Sequence, residues 1–320
     1  MMEQKLKDLI RGGLAPHRSK WAVEWSEAGK KVMGVLCSHV PEEIIYAADM
    51  LPWRVLGARD ENMASALVYR EARSCLWCTH VLESLLRGEL DFLAGAVATN
   101  RDQDLVRMFD VWKTVGKTPF TSLLHVPHSD GQLPEEFFHG EIVRFAKALE
   151  AWGGVPISAE SLRRAIAVHN GMRALLRRVY DLRKRDVPAL SGAEALGLTL
   201  AATAMPKDRF NSELEALLPY IEHREAPLKG FHPRLLVSSE LLDDPAYMDV
   251  LGGTGAVVAM DDMDIGSRYF WDTVDVDGDD TFHALARRYL LGPAGPRMWW
   301  WHRMADQIIQ WVKEFRIDGV

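Results

Sequence analysis

Cysteine is scarce in this 320-residue sequence: Cys37, Cys75 and Cys78 are the full set. Three thiols, an odd and sparse number, exclude a disulfide framework and leave free thiols or metal ligands in a reducing compartment. No apolar run reaches the ~20 residues that cross a bilayer. The opening stretch from Met1 to Arg11 is charged and amphipathic, without the apolar core of a signal peptide. A cytoplasmic protein with no membrane partner is therefore expected. Positive charge is also short, with 38 Lys and Arg against 45 Asp and Glu for a formal charge of -7. That balance gives no net pull toward phosphate backbones, so no nucleic-acid partner is expected. The chain has no GxGxxG, Walker or GxSxG motif and no HExxH pair, which removes the usual dinucleotide, nucleotide, serine-hydrolase and zincin signatures. Internal repeats and low-complexity tracts are missing too.

What is present is ordinary globular material, 48% hydrophobic and 26% charged. The length favours two lobes. Lys31 to Ser38 reads as a strand, and Pro41 to Met50 as a helix with Pro at its start and acids in its first turn. Trp53 to Leu56 reads as a further strand. Helical spacing over Ser74 to Leu90, a buried strand over Phe92 to Thr99, a helix over Asp102 to Val115 and a strand over Phe120 to Val126 continue the alternation. Parallel strands joined by helical crossovers follow from that order. The expected fold class is α/β. Residues 1–133 form an N-terminal α/β lobe and 134–230 a helical connector, with Ser158 and Ser191 as N-caps. Residues 231–320 then form a second, incomplete α/β lobe with strands at Arg234 to Ser239 and Gly255 to Met260. Thr281 to Leu291 and Arg297 to Phe315 are predicted helices, and Arg316 to Val320 has the form of an interrupted strand.

Cys75-Leu76-Trp77-Cys78 opens a predicted helix, where free amides and the positive dipole end favour thiolate. A dithiol couple, ligation of an iron–sulfur cluster and inert burial all remain open for it. Cys37 ends the first strand, where loops converge on a ligand in parallel sheets; it joins the other two thiols or is simply buried. His39, His125 and His128 lie near strand ends, with structural roles favoured for each. Gly252 to Gly255 precedes a strand, the wrong order for a phosphate cradle, and reads as a turn. The basic run Arg173, Arg177, Arg178, Arg183, Lys184 and Arg185 reads first as a solvated helix face. The acids Asp261, Asp262, Asp264, Asp272, Asp275, Asp277, Asp279 and Asp280 lack the EF-hand order and read as strand-end loops. Trp299, Trp300 and Trp301, with Trp311, cannot all face one core, so an interface is expected there.

The stretch Lys31 to Gly57, KVMGVLCSHVPEEIIYAADMLPWRVLG, resembles the opening of the 2-hydroxyacyl-CoA dehydratase and benzoyl-CoA reductase subunits. Cys75 with Leu82-Glu83, Leu90-Asp91-Phe92 with Thr99-Asn100, and Phe109-Asp110-Val111-Trp112 follow in family order. The helical middle, Asp261 to Tyr269 and Ile317 to Val320 are similar as well. The resemblance implies two Rossmann-like or flavodoxin-like lobes, a 4Fe-4S cluster beside an acyl-CoA substrate, and a related second subunit or homodimer. It also implies an ATP-dependent activator protein that supplies a low-potential electron for dehydration or ring reduction. Cys75 matches one cluster cysteine. The second falls at Arg101 or Asp102, and the third beyond the point where this sequence stops, so two of three expected thiolates are missing. Asp102, Cys78 and Cys37 stand as substitutes, and Ser38 and His39 as polar contacts to the acyl-CoA. A subunit that has lost the cluster and acts as a non-catalytic partner is the alternative, and a CxxC thiol oxidoreductase a further one.

Overall fold

The structure, a computed structural model, describes residues 1–14, 20–57, 62–71, 73–225, 232–276, 278, 280–293, 295–299 and 301–320. Asp277, Asp279 and Trp300 lie outside the described residues. In chain order the elements are α1 (Met2–Gly13), α2 (Lys20–Glu27), β1 (Val32–Val35), α3 (Glu42–Ala47), β2 (Leu51–Arg54), α4 (Leu76–Leu86), β3 (Gly95–Thr99), α5 (Gln103–Val115), β4 (Phe120–Leu124), α6 (Gln132–Gly153) and α7 (Ala159–Asp181). There follow α8 (Gly192–Ala204), α9 (Lys207–His223), β5 (Arg234–Ser238), α10 (Ala246–Gly253), β6 (Val257–Asp262), α11 (Ser267–Phe270), α12 (Thr281–Leu291) and α13 (Trp301–Glu314). The fold is α/β with parallel sheets, as the alternating pattern requires. None of the described helices is long and apolar enough to cross a membrane.

Two compact units divide the chain. One comprises Ala15–Ala167 with Val274–Leu291, the other Met1–Leu14, Val168–Thr273 and Gly292–Val320. The first is built on a four-stranded parallel sheet in the order β2-β1-β3-β4. Every residue of β1, β2 and β3 is buried, which is why these strands read as continuous apolar runs rather than alternating ones. In the same unit α4 packs on α5 and α6 on α12. Gly154, at φ +77°, closes α6 in the left-handed conformation that a side chain resists.

The second unit is organised around α8, in which every residue from Ala195 to Ala204 is buried. Ser191 and Glu194 close a capping box at its start, so the predicted cap is formed. The two-stranded sheet β5-β6 lies in this unit, and Gly319 bridges in parallel to Leu235, with Leu236 N–H donating to Gly319 O at 3.0 Å.

Two expectations about charge are corrected here. The basic run is only partly a solvated face: Arg178 and Arg185 are exposed, but Arg173 and Arg183 are buried, and Arg177 lies over the Trp271 ring at 3.6 Å. Asp261 and Asp262 are not loop residues but the buried end of β6. Tyr180 Oη donates to Asp261 Oδ2 at 2.5 Å, while Arg268 Nε and Nη2 reach the two oxygens of Asp262 at 2.6 and 2.7 Å. Burial raises the Asp261 carboxyl against the lowering effect of Arg183. Trp299 and Trp301 are exposed, whereas Trp311 is buried against Trp271.

Candidate functional site

In the order β2-β1-β3-β4 the chain leaves β1 toward β2 and leaves β3 toward β4, so the crevice at the carboxyl ends of β1 and β3 is the topological switch point of the sheet. Two loops border it, Leu36 to Pro41 after β1 and Asn100 to Asp102 after β3. On the first, Ser38 Oγ accepts from Arg54 Nη1 at 3.1 Å, and Cys37 Sγ lies 3.7 Å from His39 Nδ1. Arg54, the last residue of β2, and Arg101 are both buried, placing two guanidinium groups near this sheet edge. Just after this loop, in the first turn of α3, Glu43 Oε2 accepts from Tyr289 Oη at 2.7 Å. On the second loop Asn100 Oδ1 accepts from Val126 N–H at 2.7 Å. A cavity of about 470 Å³ opens beyond that contact, lined by Asn100, His125, His128 and Phe137 among others. His125 is held by Glu141, at 3.0 Å, a carboxyl lowered to about 2 chiefly by Arg144 and the His125 amide against its partial burial.

Cys75 is the N-cap of α4 and is half-buried; Cys78 is buried one turn on. The Cys75 thiol is lowered to about 6, first by a hydrogen bond from the Cys78 thiol, with burial opposing it and the amides of Cys78 and Trp77 assisting. Cys78 is raised far above the ordinary thiol range by that same bond and by burial. The bond therefore favours the thiolate on Cys75 and the proton on Cys78. Asp104 fixes the spot: its Oδ2 accepts from Cys75 N–H at 3.2 Å and its Oδ1 from Arg70 Nη2 at 3.1 Å. Arg70 Nε also reaches Thr79 Oγ1, which donates to Cys75 O. No sequence motif marks Arg70 or Asp104; an acid in the first turn of α5 is visible in the sequence, its target is not.

Asp102 is committed elsewhere. Its Oδ1 accepts from Asp104 N–H at 2.7 Å and Leu105 N–H at 3.3 Å, capping α5. Its charge raises both Cys75 and Cys78, so it lies near them. Cys37 pairs with His39 instead. Among the described residues the three thiols and Asp102 form no set of three or more ligand atoms close enough for one metal ion.

The family model described as 2-hydroxyglutaryl-CoA dehydratase, D-component, matches residues 37–320. The chain belongs to this family. Among relatives, the beta subunit of (R)-2-hydroxyglutaryl-CoA dehydratase from Acidaminococcus fermentans is 26% identical over 268 residues, 83% of this chain and 70% of its own. A subunit of benzoyl-CoA reductase from Thauera aromatica is 25% identical over 264 residues, covering 81% and 68%. The beta subunit of (R)-phenyllactyl-CoA dehydratase from Clostridium sporogenes is 23% identical over 296 residues, covering 92% and 78%. The match begins at Cys37, so in this dehydratase-family chain the matched region takes in the first switch-point loop from its second residue, the whole of the second loop and the Cys75 cap.

A thiol with this environment has a measurable signature. Iodoacetamide alkylation of Cys75 is expected to rise with a midpoint near pH 6, while Cys78 stays unmodified in the folded chain. Cys78→Ala removes the donor and moves the Cys75 midpoint upward. A wild-type midpoint in the ordinary range near pH 8.5 would show that the Cys78 bond is absent.

Proposed function

We propose that this chain is a partner subunit of an acyl-CoA dehydratase or related acyl-CoA reductase assembly, contributing acyl-thioester contacts without carrying a 4Fe-4S cluster of its own. Family membership and relatives that are themselves named as single subunits of such enzymes support the assembly. One observation carries the second part. At the position where the family resemblance expects another thiolate stand Arg101, which is buried, and Asp102, whose carboxylate caps α5. Cluster iron is held by several thiolates, and among the described residues Cys37, Cys75, Cys78 and Asp102 form no set of three or more ligand atoms close enough for one metal ion. The residues present do not fit the group. Ser38, held by Arg54, and His39 are the polar groups offered to the thioester at the switch point, with the ATP-dependent activator and a cluster-bearing subunit as the implied partners.

Anaerobic reconstitution with ferrous iron and sulfide tests this directly. The iron content is expected to stay far below cluster stoichiometry and to be the same in Cys75→Ser. A full cluster with its charge-transfer band, lost in Cys75→Ser, would replace this reading with a cluster-bearing subunit.

A second reading has its own support in the opposed Cys75 and Cys78 thiols, the arrangement a dithiol couple uses, with the low thiol attacking and the buried one resolving. It requires a Cys75–Cys78 disulfide with a defined reduction potential. If mild oxidants leave both thiols free, this reading is excluded.

A further inference from the structure

Within the first unit, helices α6 and α12 bring two histidines and two carboxylates together. Glu135 and His139 lie four residues apart on one face of α6, and Asp280 and His283 three apart at the start of α12, so each helix presents its pair to the other. His139 Nε2 lies 3.2 Å from Asp280 Oδ2, and the two imidazole rings are 5.6 Å apart at 52°. The ligand atoms of His139, Asp280 and His283 all fall within 4.8 Å of one another. Two ligands on a tetrahedral zinc ion stand about 3.4 Å apart, given metal bonds near 2.1 Å, so only a small contraction brings all three onto one ion.

The division of labour in the carboxylates points the same way. Asp280 Oδ1 is used as the cap of α12, accepting from Phe282 N–H at 3.0 Å and His283 N–H at 3.2 Å, which fixes the carboxylate and leaves Oδ2 turned to His139. Glu135 Oε1 lies 2.6 Å from His283 Nε2 and 3.4 Å from Arg287 Nε. A carboxylate bonded to one nitrogen of an imidazole, and itself partly neutralised, is the outer partner that orients a metal-binding histidine. Packed helices supplying carboxylate and histidine ligands from facing positions are a recurring way of building such a centre.

We propose that His139, Asp280 and His283 bind a divalent transition-metal ion, zinc by preference of its nitrogen and oxygen donors, with Glu135 as the positioning residue for His283 and water completing the shell. The ion links His139 of α6 to Asp280 and His283 of α12, 141 and 144 residues on in sequence, and so fastens the returning segment Val274–Leu291 onto the sheet unit. Asp280 is exposed and the histidines half-exposed, so the ion enters from solvent and exchanges with it. The inference is independent of the acyl-CoA reading and of the thiols.

The test is zinc titration of the full chain by calorimetry after chelator dialysis, in wild type, Cys75→Ser, His139→Gln, Asp280→Asn and Glu135→Gln. Asparagine caps a helix as well as aspartate, so Asp280→Asn keeps the start of α12 while removing the anionic ligand. One equivalent bound by wild type and by Cys75→Ser, lost in His139→Gln and Asp280→Asn, and weakened about 10- to 100-fold in Glu135→Gln, is the expected result. Cobalt in place of zinc should give d–d bands without a thiolate charge-transfer band, and zinc should shift the ring resonances of His139 and His283 in the unaltered chain. Binding that survives both His139→Gln and Asp280→Asn, that vanishes when the cysteines are alkylated, or that leaves the two histidine rings unmoved overturns the proposal.

Discussion

Asp262→Ala is expected to cost about 3–5 kcal/mol of stability, the range for removing one partner of a buried ion pair. The reason is the arrangement at the end of β6. Arg268 Nε and Nη2 donate to both oxygens of Asp262, and Nη2 also reaches its carbonyl at 3.1 Å. Ser238 Oγ donates to the same carboxylate at 2.9 Å. Both charged side chains are nearly sealed from solvent, at 4% and 2% exposure. Alanine would leave a guanidinium in the interior, with Glu240 at 3.6 Å from Nη1 as a longer-range anionic partner. Urea unfolding should show a lower midpoint with an unchanged slope. Asp110→Ala, which breaks the exposed pair with Lys113, is the control and should stay within about 0.5 kcal/mol. Equal effects of the two substitutions would mean that the β6 pair is wet.

The second large effect runs against helix propensity. Alanine is favoured over glycine in a helix by about 1 kcal/mol, yet Gly13→Ala at the end of α1 is expected to destabilise by about 3 kcal/mol. A Cβ there would stand 2.3 Å from Ala201 N and 2.4 Å from Ala201 Cα, both backbone atoms of α8 that cannot turn aside. Gly197 makes the reciprocal approach, its missing Cβ lying 2.5 Å from Ile10 Cγ2. Gly140→Ala in α6, where a Cβ meets nothing within 4 Å, should instead gain about 0.5 kcal/mol. Thermal unfolding of the two variants should move in opposite directions. If both rise, the close contact of α1 with α8 is wrong.

These sites show which parts of the molecule could be read from residues alone. Strands such as Gly95–Thr99 and caps such as Ser191 were legible because they depend on local pattern: a short apolar run, or a hydroxyl three residues before an acid. The buried fate of Arg173 and Arg183 was not, because the partner that neutralises Arg183 is Asp261, far off in sequence and in a strand where acids are normally depleted. The candidate site divides in the same way. Cys75 at a helix start announced itself, since capping is local. Arg54 behind Ser38, Arg70 beside Asp104, and His139 opposite His283 are joined only by tertiary packing, and no spacing within one helix encodes them.

The cap on α5 sets two roles against each other. Asp102 is one of the two positions at which the family resemblance would put the second thiolate, and its carboxylate satisfies the first amides of a helix. Asp102→Cys would forfeit that service, about 1 kcal/mol of helix stability. One side chain cannot serve both as this cap and as an iron ligand, so sulfur here would leave the first amides of α5 to water.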